Sequence, residues 1–256
     1  MEPRAPGLTA EVVADGFLRV ESLRRDGVEL LVPGYKLPPA AAVHGHHGGI
    51  TFLHPWANRL YADDYAVAGV RATLDGWPGI DRDADGHAIH GLPGEWSLDR
   101  GVAELRHEGC DAFPFPHAVR VLFKVGRVRL EIETTVTPLG DTPVPIAFGW
   151  HPYFRVPGLR REDWLLTLPG DRAPLGARLF DDAREGIEEG AVLGVGDVRV
   201  VFECGYPVAQ VFAPPQCDVV SLEPMTAPTN ALVTGRGLRV VGPGETFSAR
   251  FAVEVR

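Results

Sequence analysis

Two side chains that transfer protons stand in conformationally stiff segments of this chain. His151 belongs to 149–154 (Gly-Trp-His-Pro-Tyr-Phe), and Glu223 stands directly before Pro224. Proline fixes φ and removes a backbone donor, so both side chains project from backbone with little freedom. A His and a Glu held opposite each other can give a proton to one oxygen while taking a proton from another. That is the chemistry that opens and closes a cyclic hemiacetal.

Four blocks of sequence, in this order, resemble the aldose 1-epimerase (mutarotase) family. They are Gly-Gly-x-x-x-Leu-x-Pro-Trp-x-Asn-Arg-Leu at 48–60, the His90–Gly91 pair, Gly-x-His-Pro-Tyr-Phe at 149–154, and Glu-Pro-Met-Thr-x-Pro-x-Asn-Ala at 223–231. The resemblance runs from about residue 48 to about residue 232, which is most of the chain. It implies an isomerase that interconverts the α and β anomers of a free or phosphorylated hexose.

The resemblance also implies roles for the two proton carriers. Glu223 is the expected base, which removes the proton of the C1 hydroxyl, and His151 is the expected acid, which protonates the ring oxygen. These roles suit a side chain that is ionised at neutral pH and one that titrates near it. Mutarotation needs no redox centre, metal or covalent intermediate, so we expect no cofactor.

By the same resemblance, four further residues are candidates for binding the sugar. Arg59 offers a planar, permanently charged fork for neighbouring hydroxyls or a developing oxyanion, although a surface ion pair is the alternative. Asn58 is the other half of the Asn-Arg motif, or a turn residue. His90 occupies the position of a sugar-contacting or catalytic His, and otherwise has a structural role in a turn. Gln210 lies where some mutarotases have a sugar-contacting Gln, but a solvent-facing strand Gln is an equal alternative.

One expected residue has no clear counterpart. Many family members have a sugar-binding Asp between the His and the Glu motifs, and here Asp181 and Asp182 are the possible matches. The aromatic residue expected shortly after that Asp is missing. We favour Asp181 and leave Asp182 open. The charged stretch 181–189 is typical of a surface turn or a short helix.

Two other segments superficially suggest metal sites. His44, His46 and His47 lie in a Gly-rich stretch without a Cys or a carboxylate at ligand spacing, so a loop is the preferred interpretation. The alternating aspartates of 81–85 resemble a calcium loop, but its twelfth position is Leu92 instead of a bidentate Glu. We therefore expect no metal, and we interpret 81–86 as a solvated hairpin tip.

Composition limits the classes of protein. The 256 residues are 45% hydrophobic and carry a formal net charge of −9, which argues against nucleic acid or an anionic membrane as partner. Three distant cysteines suggest no disulfide framework, and 1–7 has no basic segment followed by an apolar one. We expect a cytoplasmic protein with one domain spanning 1–256. The sequence does not determine the oligomeric state.

Alternating apolar residues predict the elements that position these side chains. The clearest runs are 119–125 and 128–136, separated by Gly126-Arg127 at hairpin distance, and 247–255 near the end of the chain. Shorter strand candidates are 18–23, 28–32, 198–202 and 207–212. Many short strands with Gly and Pro between them indicate an all-β antiparallel sandwich or barrel. The resemblance implies a large β-sandwich.

Two rival functions remain at this stage. A glycoside hydrolase also cleaves acetals, but it usually needs two carboxylates beside the scissile bond, and only Glu223 stands in a specific motif. A non-catalytic sugar-binding or sensor protein could share the fold, although the presence of both His151 and Glu223 argues against it. The sugar is open. A phosphosugar enzyme should add cations near the pocket, for which the candidates are Arg71, Arg100, Lys124 and Arg155.

Overall fold

A computed structural model describes residues 7–33 and 48–256 of the chain. Within these ranges the chain forms strands β1 to β23, numbered in chain order, one short α-helix and a 3-10 turn at Arg161–Asp163. The α-helix, α1, spans Ala231–Thr234. Within the described ranges, no helix combines the length and the apolar composition needed to cross a membrane.

The first large sheet is antiparallel and positions the candidate site. Its strands, in spatial order, are β1 (Leu8–Ala14), β2 (Leu18–Arg25), β4 (Ile50–Leu53), β14 (Gly149–Phe154), β21 (Val220–Met225), β20 (Val208–Ala213) and β17 (Phe180–Glu185), with β3 (Val28–Glu29) paired to β2. The central neighbours β4, β14 and β21 come from distant parts of the sequence, so residues far apart in the chain share one face of the sheet.

The second large sheet is also antiparallel. Its strands, in spatial order, are β16 (Asp171–Pro174), β15 (Leu165–Leu168), β18 (Val192–Val195), β19 (Val198–Cys204), β23 (Phe247–Val255), β12 (Arg129–Pro138), β11 (His117–Val125), β10 (Val102–His107) and β9 (Trp96–Asp99). The alternating runs of the sequence form β11, β12 and β23, and β11 pairs with β12 as the expected hairpin.

Three two-stranded ladders complete the strand inventory of the described residues. They are β13 (Val144–Ile146) with β22 (Arg239–Val241), β5 (Arg59–Leu60) with β8 (Ala88–Ile89), and β6 (Asp64–Val67) with β7 (Val70–Thr73). The ladder of β5 and β8 joins two of the motif blocks, because it pairs Arg59 with Ile89.

The two large sheets pack face to face around an aromatic core, which confirms the predicted all-β sandwich. Trp150 of β14 is fully buried, and its indole N–H donates to Thr134 Oγ1 of β12 across the sheets at 3.3 Å. Its ring also packs against Phe123 and Phe251 of the second sheet. Side chains alternate between the two faces of a strand, so when Trp150 points into the core, His151 points to the outer face of the first sheet.

Two local predictions differ from the structure. The stretch 181–189, expected to be a surface turn or a short helix, contributes residues 181–185 to the edge strand β17, which pairs with β20. Phe180 is the buried residue of that strand, and an edge strand tolerates charges because one of its sides faces solvent. Of the predicted strand 28–32, only Val28–Glu29 is a strand, and Leu31 forms an isolated bridge to Phe154.

Candidate active site

All seven residues expected to act on a sugar line one cavity on the outer face of the first sheet. The cavity is a depression that opens to solvent, and its empty space, counted together with the solvent at its mouth, is about 340 Å³. Its lining residues are Asn58, Arg59, Ile89, His90, His151, Tyr153, Asp181, Gln210, Phe212 and Glu223. The structure thus brings together positions that span most of the sequence.

Four adjacent strands form the floor of the cavity. His151 and Tyr153 come from β14, Glu223 from β21, Gln210 and Phe212 from β20, and Asp181 from β17. β14 and β20 each contribute two residues that stand two positions apart, because successive side chains of a strand point to opposite faces. The register aligns these positions across the sheet, since Gln210 pairs with Glu223 and Asp181 with Phe212.

His151 and Glu223 are cross-strand neighbours. The register that pairs Gly149 with Met225 and Tyr153 with Ser221 places His151 directly beside Glu223. The distance from His151 Nε2 to Glu223 Oε1 is 3.2 Å, and both side chains are buried. An imidazole and a carboxylate at this distance can share one proton, so the protonation state of each depends on the other.

A serine fixes the orientation of the His151 ring. The Ser221 hydroxyl donates to Pro152 O at 2.6 Å, and its oxygen lies 2.8 Å from His151 Nδ1. Because the carbonyl can only accept and the hydroxyl has one hydrogen, His151 Nδ1–H must donate to Ser221 Oγ. The Tyr153 ring stacks on the imidazole at a centroid distance of 4.1 Å. These contacts direct Nε2 toward Glu223.

Glu223 is a buried carboxylate with an unused acceptor. Burial, and then the negative charge of Asp181, raise the pKa of Glu223 well above its ordinary value, and the Ser221 side chain and the Arg59 guanidinium oppose the shift. Among the described residues, none donates a hydrogen bond to Glu223 Oε2, although this atom is buried. A buried unsatisfied carboxylate oxygen is costly, and such groups cluster where a ligand supplies the missing partner.

The second wall of the cavity comes from the ladder of β5 and β8. His90 N donates to Asn58 O at 3.1 Å, and the Asn58 side chain accepts from Arg59 N at 2.9 Å. Asn58 and His90 both have positive φ, at 58° and 65°, so each backbone turns sharply at the cavity. His90 meets His151 edge to face with ring centroids 5.2 Å apart, so it stands beside the expected acid.

Asp181 and Gln210 form a polar pair at the third side of the cavity. Gln210 Nε2 donates to Asp181 Oδ1 at 2.6 Å, and Asp181 Oδ2 lies 3.8 Å from Arg59 Nη2. Gln210 is buried, unlike the solvent-facing alternative. Asp182 is the next residue on β17, so it points to the opposite face of the strand and does not line the cavity. Geometry therefore favours Asp181 over Asp182.

The turn at 81–86 is not a purely solvated tip. Asp83 is buried, and its Oδ2 accepts from Arg59 Nε at 2.6 Å, while its Oδ1 accepts from the backbone N–H groups of Asp85 and His87. Residues 84–86 are exposed, as the sequence interpretation had them, but it missed the buried Asp83, because a contact across 24 residues of chain leaves no local pattern. Asp83, Asp85 and His87 bring ligand atoms within 4.8 Å of one another, but both Asp83 oxygens already accept hydrogen bonds.

The remaining metal-binding and phosphate-binding candidates from the sequence do not line the cavity or lie outside the described residues. His44, His46 and His47 lie outside the described residues. The possible phosphate-binding cations Arg71, Arg100, Lys124 and Arg155 all belong to the described part of the chain, and none of them lines the cavity.

Sequence reasoning missed three residues that support the site. Tyr153 and Ser221 stand two positions from His151 and Glu223 on the same strands, so strand alternation could have placed them on the same face. Asn230 Oδ1 accepts from Tyr61 N at 2.9 Å, and Asn230 N donates to Arg59 O. It therefore ties the loop after β21 to the strand of Arg59, which only the fold reveals.

Comparison with known proteins gives the family. The family model described as aldose 1-epimerase matches residues 21–171, more than half of the chain. No curated protein matched. These residues contain Arg59, His90 and His151, whereas Glu223 lies beyond them.

Solved structures resemble the chain over its whole length. A protein of Synechocystis superposes with a TM-score of 0.71 and 22% identity, covering 100% of this chain and 97% of that one. A candidate aldose 1-epimerase of Escherichia coli K12 gives 0.70 and 21%, covering 98% and 99%. A galactose 1-epimerase of Lactobacillus acidophilus gives 0.65 and 16%, covering 99% and 92%. At these identities the likenesses establish the fold. With the match of the family model, they show that the chain is an isomerase-class protein that belongs to the aldose 1-epimerase family.

Proposed function

We propose that this protein catalyses the interconversion of the α and β anomers of a free hexose, with Glu223 as base and His151 as acid. The observation that carries the proposal is the buried Glu223 Oε2, which accepts no hydrogen bond from any residue that the structure describes, beside a His151 whose ring is oriented by Ser221. We further propose that residues 1–256 act as one domain.

The mechanism follows from the contacts of the two side chains. The sugar O1–H donates to Glu223 Oε2, while His151 Nε2–H is turned to the ring oxygen O5. Both oxygens are bonded to C1, so an acid and a base that stand side by side can reach them together. Proton transfer to O5 and from O1 breaks the C1–O5 bond and leaves an open-chain aldehyde.

Rotation about C1–C2 exposes the other face of the aldehyde. Reclosure reverses the proton movements, since the neutral imidazole of His151 now accepts a proton from the C5 hydroxyl, and protonated Glu223 returns one to O1. The two residues end in their starting states, so the cycle needs no external proton source. A carboxylate with a raised pKa is the stronger base, which suits removal of a hydroxyl proton.

The charges of the cavity favour an uncharged sugar. Arg59 is the single permanently charged cation among the described lining residues, and it pairs with Asp83, while Asp181 and Glu223 supply carboxylates. The negative charges of these carboxylates would repel a phosphate dianion. The hydroxyls of a neutral hexose instead match the Arg59 fork, the Gln210–Asp181 pair and His90.

Polarimetry tests the proposal. The optical rotation of freshly dissolved α-glucose and α-galactose should reach its equilibrium value faster with the wild-type protein than in buffer alone. Glu223→Gln, which keeps the shape but cannot accept the O1 proton, should lower the catalysed rate by about 10²–10⁴-fold. A Glu223→Gln variant as fast as the wild type would remove Glu223 as the base.

The same assay separates the rival functions. A sugar-binding protein without activity would bind glucose or galactose in calorimetry and leave the rate of mutarotation unchanged. A glycoside hydrolase would release reducing ends from aryl glycosides, for which Asp181 would be the second carboxylate. Faster catalysed mutarotation of glucose 6-phosphate than of glucose would overturn the assignment of a free sugar as substrate.

A further inference from the structure

Arg59 stands between two carboxylates of different character. Its Nε donates to Asp83 Oδ2 at 2.6 Å, and its Nη2 lies 3.8 Å from Asp181 Oδ2 at the cavity. The Asp83 side chain is 5% exposed and that of Asp181 is 43% exposed. Asp83 thus holds the guanidinium from the buried side, and Asp181 lies near it on the side that faces the cavity.

The turn that contains Asp83 fixes its carboxylate. Asp83 Oδ1 accepts from Asp85 N at 3.0 Å and from His87 N at 2.9 Å, and Asp83 N donates to His87 O at 2.9 Å. Two backbone donors therefore fix one carboxylate oxygen. The other oxygen, Oδ2, is left in a defined position for Arg59.

The backbone of Arg59 is tied to the same turn. Arg59 pairs with Ile89 in the ladder of β5 and β8, and Ile89 N donates to Asp81 O at 2.9 Å. Contacts with residues 81–89 thus hold both the main chain and the side chain of Arg59. A free Arg side chain has about 2 kcal/mol of rotamer entropy, which must be lost when it binds a ligand.

The contacts divide the guanidinium into a held part and a presented part. Nε is engaged by Asp83 and Nη1 by Asn58 Oδ1 at 3.2 Å, while Nη2 is the nitrogen nearest Asp181. Burial alone would raise the pKa of Asp83, but the Arg59 hydrogen bond and the N–H groups of His87 and Asp85 outweigh it and hold the pKa below its ordinary value. Asp83 is therefore an anion at neutral pH.

We propose that Asp83 is the positioning residue of the sugar site, which orders the Arg59 guanidinium before the sugar arrives and so lowers the entropic cost of binding. Asp83 does not line the cavity, and it acts through Arg59 alone. This inference rests on the proposed function in so far as Arg59 contacts the sugar.

A double-mutant cycle tests the inference, with Asp83→Asn, Arg59→Ala and the combined variant. Asp83→Asn is nearly isosteric and still accepts from the two backbone N–H groups, but it turns an amide toward Arg59 Nε. We expect Asp83→Asn to raise KM for galactose by about 10- to 100-fold with kcat less affected, since a displaced guanidinium binds both ground and transition state less well. Arg59→Ala should shift the same parameter at least as far.

The informative arm of the cycle is the double variant. If Asp83 acts through Arg59, adding Asp83→Asn to Arg59→Ala should give no further rise in KM. If Asp83 merely supports the fold, the losses should multiply, and Asp83→Asn should lower the active fraction and kcat at unchanged KM. Either of these results overturns the inference. Arg59→Lys is the second probe, because Lys keeps the charge without an Nε for Asp83, and it should resemble Asp83→Asn.

Asp85→Asn is the matched control, since this exposed side chain is in the same turn and should leave the kinetics unchanged. Equilibrium binding of galactose by calorimetry provides a readout that does not require turnover. If the wild type does not accelerate mutarotation, the proposed function fails. The wild type and the three variants of the cycle then test Asp83 through the dissociation constant of galactose, where coupling to Arg59 supports the inference and additivity overturns it.

Discussion

Within residues 7–33 and 48–256, two buried pairs of proton-carrying side chains have different surroundings. His151 and Glu223 meet at 3.2 Å at the cavity, while His54 and His117 meet through their Nε2 atoms at 2.7 Å in the interior. In the interior pair, His117 Nδ1–H donates to Phe115 O, so the neutral His117 accepts at Nε2 and His54 must be the donor.

Each pair has a perturbed pKa, but for different reasons. Burial lowers the pKa of His117 to about 4, with a further contribution from His107, and it lowers the pKa of His54 as well. Burial and Asp181 raise the pKa of Glu223. A perturbed pKa therefore does not by itself identify a catalytic group. What distinguishes the cavity pair is an acceptor left for a ligand, Glu223 Oε2, in a cavity that opens to solvent.

The largest expected effect separates the pairs by kinetics. His151→Asn should lower the catalysed rate of mutarotation by about 10²–10⁴-fold, because Asn cannot supply a proton to the ring oxygen. His117→Asn should leave kcat and KM of the folded protein nearly unchanged, since the interior pair does not line the cavity. Polarimetry on both variants, with folding checked by circular dichroism, makes the comparison.

The double variant of the cavity pair sharpens this prediction. If His151 and Glu223 act on the same step, as proposed, His151→Asn combined with Glu223→Gln should lower the rate by much less than the product of the two single losses. Independent, multiplying losses would mean that the two side chains do not act on the same step. A kinetic defect of the same size in His117→Asn would end the distinction between the two pairs.

A second prediction concerns stability in acid. The pKa of His117 in the folded state is below its ordinary value of 6.5, so the folded state favours the neutral ring. Its stabilisation is complete above pH 6.5 and is lost as the pH falls toward 4, by on the order of 3 kcal/mol. Urea unfolding between these pH values should reveal the loss.

The control for this loss is His117→Asn, which cannot titrate. Its stability should fall less steeply over the same pH range than that of the wild type. Equal slopes in the two proteins would assign the acid sensitivity to other groups and would weaken the account of the interior pair.

The all-β fold was predictable from sequence because the apolar residues of three strands alternate in step with their burial. In β11, β12 and β23, one set of alternate residues is mostly buried and apolar, and most residues of the other set are polar. The edge strand β17 has a single buried residue, Phe180, so its sequence lacks that alternation. An alternating pattern of apolar residues arises when one face of a strand is buried and the other is exposed. An edge strand with two mostly exposed faces therefore shows little alternation.

The cavity was less predictable than the fold. His151 and Glu223 stood out through their motifs, but their contact depends on the pairing of β14 with β21, and sequence does not state which strands are neighbours. Asp83 had no visible signal, because its partner is brought near by the ladder of β5 and β8. Ser221 was within reach of reasoning, since it stands two residues before Glu223 on the same strand.

A third prediction is that the buried carboxylate of Glu223 lowers the stability of the folded protein. The pKa of Glu223 in the folded state is above its ordinary value of 4.5, so the protonated form is favoured and stability falls as the pH rises through the folded pKa. Glu223→Gln removes that charge, so it should be more stable than the wild type at neutral pH, by about 1 kcal/mol. The gap should shrink as the pH falls to 4.5.

Thermal melts of both proteins across this pH range provide the measurement. Glu104→Gln is the matched control, because Glu104 is an exposed residue on the second sheet, and it should show no pH-dependent gap. If Glu223→Gln is less stable than the wild type at every pH, the Glu223 carboxylate is better satisfied than its surroundings indicate.

The smallest expected effect concerns the carboxylate of Asp181, which acts on the pKa of Glu223. No carboxylate of the described residues shifts the pKa of His54 or His117 in the interior pair in this way. Asp181 raises the pKa of Glu223, so Asp181→Asn should lower that pKa and move the acid limb of the kcat/KM profile to lower pH, by roughly one unit or less. The wild-type profile should be bell-shaped, with Glu223 protonation limiting the acid side and His151 deprotonation the other. Asp182→Asn is the matched control, because Asp182 is adjacent in sequence but does not line the cavity. An acid limb that moves in Asp182→Asn but not in Asp181→Asn would exchange the roles of the two residues.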